Sequence, residues 1–393
     1  MTPGASNDIF GRHGLRRVIN VSGTETPYGA SPVREEVLQA VLRLAPHSVM
    51  MHELQAAASV AIARATGAEA GCVTGCTAAG IAMGVAGAMT GCDLGRVEQL
   101  PDTRGMKNEV VLQRGHEVSY GHHVSQNARI AGARVVEIGA AHQTGLYQLR
   151  HALNDNTAAA LFVVSHLTAP HGMIPLQDFV AVCQERGVPV IVDAASVPDP
   201  APYVAAGADL VLWSAHKGFR SLTAGYVAGR RGMVHACMFQ EHGIGRPMKV
   251  GKEGVIGAIA ALEAWEARDA GAEAARLAAR LGRTCERLGA LPGVSAAARG
   301  RQASLRIDPA RAGASAAALA GWLAAGDPAI IVWHHRALDG ELLVTLSNVD
   351  DDTADAVCAA IERGLSGAAS GHEGRWTSVA DQFERAVAGW TGA

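Results

Sequence analysis

The chain has 393 residues, 49% hydrophobic and 18% charged, with a formal net charge of −3. That length and apolar content suit a sizeable core over roughly two or three domains and exclude a disordered chain. The near-neutral charge and 4% aromatic content exclude a partner read through phosphates or stacked bases, so no nucleic acid is expected.

In chain order, apolar runs predict strands over Gly71–Thr74, Glu109–Gln113, Arg134–Ile138, Ala158–Ser165, Pro189–Asp193, Asp209–Trp213 and Ala224–Ala228. Helical periodicity falls between them, over His52–Thr66, Thr77–Met89, Leu146–Leu153 and Leu176–Arg186. Strands apolar on both faces, alternating with helices, predict an α/β fold with a mostly parallel, doubly wound sheet. Glu253–Leu288 reads as one long helix that stops at Gly289 and Pro292-Gly293. Beyond it, strands over Gln302–Asp308, Ala329–Trp333 and Glu341–Ser347, with helices near Ala314–Ala325 and Thr353–Leu365, predict a small α+β domain. The expected division is an N-terminal segment 1–30, a large domain 31–252, a connecting helix 253–289, a small domain 290–366 and a tail 367–393 carrying Trp376 and Trp390.

Several functions lack their motifs. There is no phosphate loop of the Walker type, no G-x-G-x-x-G and no G-x-S-x-G. His52-Glu53 and His116-Glu117 begin a zinc-protease pattern, but Ala56 and Tyr120 stand where the second histidine belongs, so no metal is expected. No run of about 18 apolar residues could cross a membrane, and the opening MTPGASNDIFGRHGLRRVIN has no apolar signal segment. Seven scattered cysteines, an odd number, read as reduced thiols and a cytoplasmic protein.

Lysine is scarce: only Lys107, Lys217, Lys249 and Lys252 stand beside thirty arginines. Where only positive charge is needed this chain uses Arg, so a retained lysine is a candidate for Schiff-base chemistry, which Arg cannot perform. Val190-Ile191-Val192-Asp193 and Trp213-Ser214-Ala215-His216-Lys217 are apolar strands that deliver a carboxylate and, 24 residues on, an amine at the sheet edge where ligands bind. That pair matches pyridoxal 5'-phosphate: Lys217 for the aldimine, Asp193 for the pyridinium nitrogen. A helix cap or an ion pair between the two would also account for Asp193. A phosphate cup is expected at a strand-to-helix turn, and Thr74-Gly75-Cys76-Thr77 supplies one, although small residues there also serve tight packing. Gly115-His116 ends another strand, where the imidazole could stack on the pyridine ring or simply fill the core.

These runs, with Ser214-x-His216-Lys217, resemble the fold-type I pyridoxal-phosphate enzymes of the class V aminotransferase style. Val18-Ile19-Asn20-Val21-Ser22-Gly23-Thr24, Arg134–Gly139 and Ile244-Gly245-Arg246-Pro247-Met248-Lys249-Val250-Gly251-Lys252-Glu253 narrow this to the branch of selenocysteine synthase and D-glucosaminate-6-phosphate ammonia-lyase. The likeness runs from about residue 18 to 265. It implies that Lys217 carries the cofactor, Asp193 binds its ring nitrogen and His116 stacks on the ring. By the same resemblance Gly75, Cys76, Thr77 and Ser214 hold the phosphate, and His216 packs near the cofactor. It also implies that Lys249 and Lys252 lie near phosphate or substrate, in the same subunit or across a dimer interface, with Arg246. Two departures stand out. Only eighteen residues precede Ile19-Asn20, where selenocysteine synthase has a further N-terminal region, and Leu342–Asp350 replaces an expected Asp-Pro-Arg ending.

The leading expectation is a lyase that expels a β leaving group from an amino acid through an aldimine on Lys217 and a quinonoid, giving a 2-oxo acid and ammonia. A racemase or epimerase, with Tyr120, His122 or His123 as second acid, and a β-replacement enzyme are the alternatives. A selenium transferase or an aminotransferase ranks lower. Arg246, Arg306 and Arg336 are candidates for the substrate carboxylate. A homodimer or an assembly of dimers, a small amino-acid substrate and no membrane partner complete the expectations.

Overall fold

The computed structural model describes residues 8–372 and 379–390; Trp376 of the tail lies outside them. Its contacts divide into two compact units, one of residues 33–267 and one combining the N-terminal residues up to 32 with residues from 268 onward. The twelve strands of the described residues are β1 (Val18–Val21), β2 (Ala70–Thr74), β3 (Glu109–Gln113), β4 (Arg134–Ile138), β5 (Thr157–Val163), β6 (Val190–Asp193), β7 (Leu210–Ser214), β8 (Gly225–Gly229), β9 (Val294–Arg299), β10 (Gln302–Ile307), β11 (Ala329–Val332) and β12 (Glu341–Thr345).

The larger unit is built on one seven-stranded sheet in the order β2-β8-β7-β6-β5-β3-β4. All pairs are parallel except those of β8, which runs against both β2 and β7. The mostly parallel, doubly wound sheet expected from the sequence is what the strands form, with β8 as its one reversed member. Only residues 215–224 join β7 to β8, too few for a crossover that returns a strand in parallel. The other strands share one direction, so the ends of β2, β3, β6 and β7 fall on one edge.

Both faces of the sheet are covered. Val110 and Leu112 of β3 pack with Ile81 and Val85 of the helix Thr77–Thr90, while Val111 packs on the other side with Phe179 of the helix Leu176–Glu185. Successive side chains of a strand point to opposite faces, which is why these strands are apolar throughout. On that second side Trp213, Phe219, Tyr226 and Trp265 form an aromatic group, with Trp213 stacked on Tyr226 at 4.8 Å between centroids. The Tyr226 hydroxyl donates to Ala258 O at 2.8 Å and ties the helix Lys252–Ala267 to the sheet.

The single long helix expected over Glu253–Leu288 is two helices, Lys252–Ala267 and Ala270–Gly289. Asp269 breaks it by accepting the Ala272 N–H as an N-cap, a role that aspartate fills well. In the second unit β12-β10-β9 form an antiparallel sheet, and β1 pairs in parallel with β11, so the segment near residue 20 belongs with the C-terminal residues. The alanine-rich strand β9, Val-Ser-Ala-Ala-Ala-Arg, has weak β-propensity and gives little sign in the sequence. No helix of the described residues is long and apolar enough to cross a membrane.

Candidate functional site

The site grows from four strand ends. At the first, Thr74 leads through Gly75 to Cys76, which caps the following helix by accepting the Ala79 N–H on its sulfur at 3.4 Å. Gly75 is needed because a Cβ there would lie 2.6 Å from Met248 O, so the Arg246–Lys249 segment closes directly over this turn. Gly225 of β8 sits between Thr74 and Ser214, paired with both. A Cβ on Gly225 would meet the Cys76–Thr77 backbone at 2.4–2.6 Å. Two distant segments therefore meet across one glycine, and each brings a hydroxyl. Thr77 Oγ1 and Ser214 Oγ are both buried with no hydrogen-bond partner in the protein.

Leaving a buried polar atom unpaired costs about 1–3 kcal/mol. Two such hydroxyls beside the positive end of a 14-residue helix, Thr77–Thr90, form an acceptor-seeking cup that suits a phosphate. The residues present therefore fit the anionic end of pyridoxal phosphate.

Asp193 closes β6 and is 4% exposed; its Oδ1 accepts the Ala195 N–H at 3.1 Å. Burial pushes its carboxyl up to about 6, against the opposing pull of that hydrogen bond and of Lys217. Lys217 lies in the turn after β7, half-buried, with Nζ donating to Ser196 Oγ at 3.2 Å. Burial lowers its pKa, and Asp193 works in the opposite direction. The turn is fixed by Ser221 N–H donating to Ala215 O and by Arg220 in the left-handed region at φ 59°, a conformation that costs a non-glycine residue about 1–2 kcal/mol. His216, beside Lys217, has a buried Nδ1 with no partner, and burial lowers its pKa.

His116 follows β3, 4% exposed and edge-on to Phe162 at 4.5 Å. Its Nδ1 accepts the Val163 N–H at 3.1 Å, so the ring proton sits on Nε2. Burial pulls its pKa down to about 4, which keeps the imidazole neutral at pH 7. A neutral ring at this point suits stacking on an aromatic cofactor and adds no repulsion to a protonated pyridine. Tyr120 is 41% exposed, and burial and the charge of Asp193 raise its hydroxyl pKa.

The sequence-derived residues thus separate into two groups. Gly75, Cys76, Thr77, His116, Tyr120, Asp193, Ser214, His216 and Lys217 gather along one sheet edge. Lys249 and Arg246 are exposed on the segment over the Gly75 turn. Lys252 is engaged elsewhere, its ammonium donating to Ala45 O at 2.8 Å and His47 O at 2.5 Å, just past the helix Glu35–Leu44. Within this chain, carbonyls at and just past the C-terminus of a neighbouring helix answer its charge. In the other unit Arg336 is committed to Glu341, which also binds Arg299 and Ser304. Sequence reasoning missed Ser196, which meets the Lys217 amine. Asp193-x-x-Ser196 offered a hint, since an apolar strand ending in two polar groups marks one edge.

The family model "L-seryl-tRNA selenium transferase" matches residues 18–286. The D-glucosaminate-6-phosphate ammonia lyase of Salmonella typhimurium is 40% identical over 257 residues, 65% of this chain and 69% of that one. A Streptomyces 5'-C-glycyluridine monooxygenase-decarboxylase is 37% identical over 372 residues, 92% of this chain and 93% of its own. A solved structure of D-glucosaminate-6-phosphate ammonia-lyase superposes with a TM-score of 0.85 at 36% identity, over 94% of this chain and 100% of that one. Serine palmitoyltransferase of Sphingomonas wittichii, at 16% identity and a TM-score of 0.56 over 89% of this chain and 88% of its own, shares the fold alone, which is that of the fold-type I pyridoxal-phosphate enzymes. With the family model covering more than half of its length, the chain belongs to the L-seryl-tRNA selenium transferase family.

Proposed function

We propose that the chain is a pyridoxal-phosphate-dependent lyase that removes a β leaving group from a small amino acid, yielding ammonia and a 2-oxo acid. The observation that carries the reading is the buried Asp193 beside Lys217 on the sheet edge that also holds two unpaired hydroxyls, Thr77 Oγ1 and Ser214 Oγ. The 40% identity to an ammonia lyase supports the reaction class.

When bound, the cofactor supplies an electron sink for charge developing at the substrate α-carbon. The chain's own residues do the rest. Thr77 and Ser214, whose hydroxyls have no partner in the protein, would donate to the phosphate and hold it. Asp193, ionised at neutral pH, holds the proton of the pyridine nitrogen and steadies the developing charge. His116 would present a neutral face to the ring. Lys217 Nζ, made easier to deprotonate by burial, accepts the α-proton as the general base. Ser196 Oγ keeps that amine in register. Cys76 caps the helix that carries Thr77, and Arg246 and Lys249 provide exposed positive charge over the same turn.

The reading includes a cytoplasmic homodimer, or an assembly of dimers, acting on a free small molecule. The family resemblance and the alanine-rich helices after Lys252 support it. Light scattering of the loaded protein at nanomolar and micromolar concentrations tests it.

The reaction is tested by supplying β-hydroxy, β-amino and phosphorylated amino acids singly and following ammonia, oxo acid, optical rotation and oxygen. Ammonia with oxo acid and no oxygen uptake is the expected result. Loss of rotation alone indicates a racemase, and turnover that requires a second oxo acid indicates an aminotransferase. The Streptomyces relative aligned over 92% of the chain bears a different activity in its name. Oxygen uptake with release of carbon dioxide would therefore replace the lyase reading with an oxidative decarboxylation.

A further inference from the structure

The residues after His116 fold into a small polar outpost. Val118 and Val124 are both buried and pair by a Val124 N–H donating to Val118 O at 2.9 Å, which closes the loop between them. Tyr120, Gly121 and His122 form its tip, with Tyr120 N–H donating to His122 O. The helix Val124–Ile130 then begins and places Asn127, 2% exposed, beneath that tip.

Asn127 reaches both side chains of the tip. Its Nδ2 donates to the Tyr120 hydroxyl oxygen at 2.6 Å, and its Oδ1 lies 2.9 Å from His122 Nε2. An amide oxygen only accepts, so His122 carries its proton on Nε2 and locks the amide's orientation. An amide nitrogen only donates, so the Tyr120 oxygen is an acceptor here and its own proton is turned elsewhere. The tyrosine and histidine rings lie edge-on at 5.0 Å, which limits rotation of either. Asp193, Cys76 and Glu117 are the charged or titratable groups that act on Tyr120 besides these two.

We propose that Asn127 is a positioning residue that aims the Tyr120 hydroxyl proton at the substrate's departing group, with His122 holding the amide in place. Tyr120 then acts as the acid of the elimination. As the bond from the β-carbon breaks, the leaving group takes the bonding pair and receives the Tyr120 Oη proton. Lys217 Nζ keeps the proton removed from the α-carbon. The Asn127 N–H donates to the phenolate that results, which lowers the cost of forming it beside Asp193. Tyr120 itself remains protonated until that moment, because burial and the neighbouring carboxylate oppose its ionisation. The kinetic part of this inference rests on the lyase reading; the placement of the proton does not.

The test therefore begins without the reaction. A difluorotyrosine installed at position 120 titrates in an accessible range, and its phenol is followed by fluorine NMR in the cofactor-free protein. Asn127→Ala is expected to raise that titration by about one pH unit, the scale of a hydrogen bond to a charged group. His122→Phe should raise it less, and it keeps the test open if Asn127→Ala does not fold. No shift, or a downward shift, overturns the proposal; the latter would mean that Tyr120 donates to the amide. In turnover, Asn127→Ala should lower kcat about tenfold or more while KM changes by less than about threefold. On a Tyr120→Phe background the same change should cost nothing further. An additive loss would overturn the coupling. If no amino acid yields ammonia, the lyase reading fails and the fluorine titration still decides the placement.

Discussion

The Val163 N–H donates to His116 Nδ1 at 3.1 Å, joining the end of β5 to the residue that follows β3. These two strands are neighbours at the point where the chain turns from building one side of the sheet to the other. Open α/β sheets form their ligand crevice at such a point. The bond also fixes which nitrogen bears the proton, leaving Nε2–H available as a donor.

Acid sensitivity follows from His116. Its pKa is near 4 in the folded protein and about 6.5 unfolded, so between these values the unfolded chain binds more protons and stability rises with pH. In cofactor-free protein His116→Phe should flatten that rise, leaving the smaller share of His216. Denaturant midpoints from pH 4.5 to 7.5 measure it, with a swing of about 2–3 kcal/mol.

Asp193 has the opposite slope. Raised to about 6 by burial, it holds its proton longer when folded, so its contribution falls as pH increases from about 4 to 6. Asp193→Asn should therefore stabilise the cofactor-free protein at pH 8 while removing most turnover of the loaded enzyme. A variant less stable than wild type at that pH would contradict the buried, unfavourable carboxylate.

Borohydride reduction of the loaded protein should place the cofactor on Lys217, identified by mass spectrometry of the peptide. Lys217→Ala should lose the visible absorbance. Label on Lys107, Lys249 or Lys252 would refute the assignment.

Ser214→Ala and Thr77→Val remove buried hydroxyls that have no protein partner. In the cofactor-free protein each should be neutral or slightly stabilising, since nothing is left unpaired. Each should weaken cofactor binding by about tenfold, read by fluorescence titration, because a hydrogen bond to a charged group contributes about 1.5–3 kcal/mol. Unchanged affinity would remove the hydroxyls from the cup.

Lys252→Met should lower thermal stability, because its ammonium no longer meets the carbonyls of Ala45 and His47. The expected cost is about 1–2 kcal/mol, with KM for the substrate unmoved. A raised KM at unchanged stability would return this lysine to the substrate.

The sequence made the strand ends legible because fully buried strands are apolar to their last residue, and Asp193 and Lys217 interrupt that pattern abruptly. Scarcity sharpened the second signal, since so few lysines remained to choose from. The direction of β8 was not legible: apolar strands look alike either way, and only the short connection through residues 215–224 shows the reversal. The partners of Lys252 were not legible either: its charge conflicts with the start of its own helix, and the carbonyls that meet it lie some two hundred residues earlier in the chain. Asn127 gave no sign at all, since a buried amide is visible only through the two side chains it joins.

The strand β8 also sets an order of events during synthesis. Thr74 and Gly225, joined side by side in the sheet, are 151 residues apart. A nascent chain that has emerged only through Lys217 already contains Gly75, Thr77, His116, Asp193 and Ser214, yet lacks the strand that brings residue 74 beside residue 214. The two hydroxyls of the proposed anion cup can therefore be held together by this pairing only once β8 has been made. Capture of the cofactor on the ribosome would report completion of this sheet, and earlier fragments would leave the reactive lysine without its phosphate anchor.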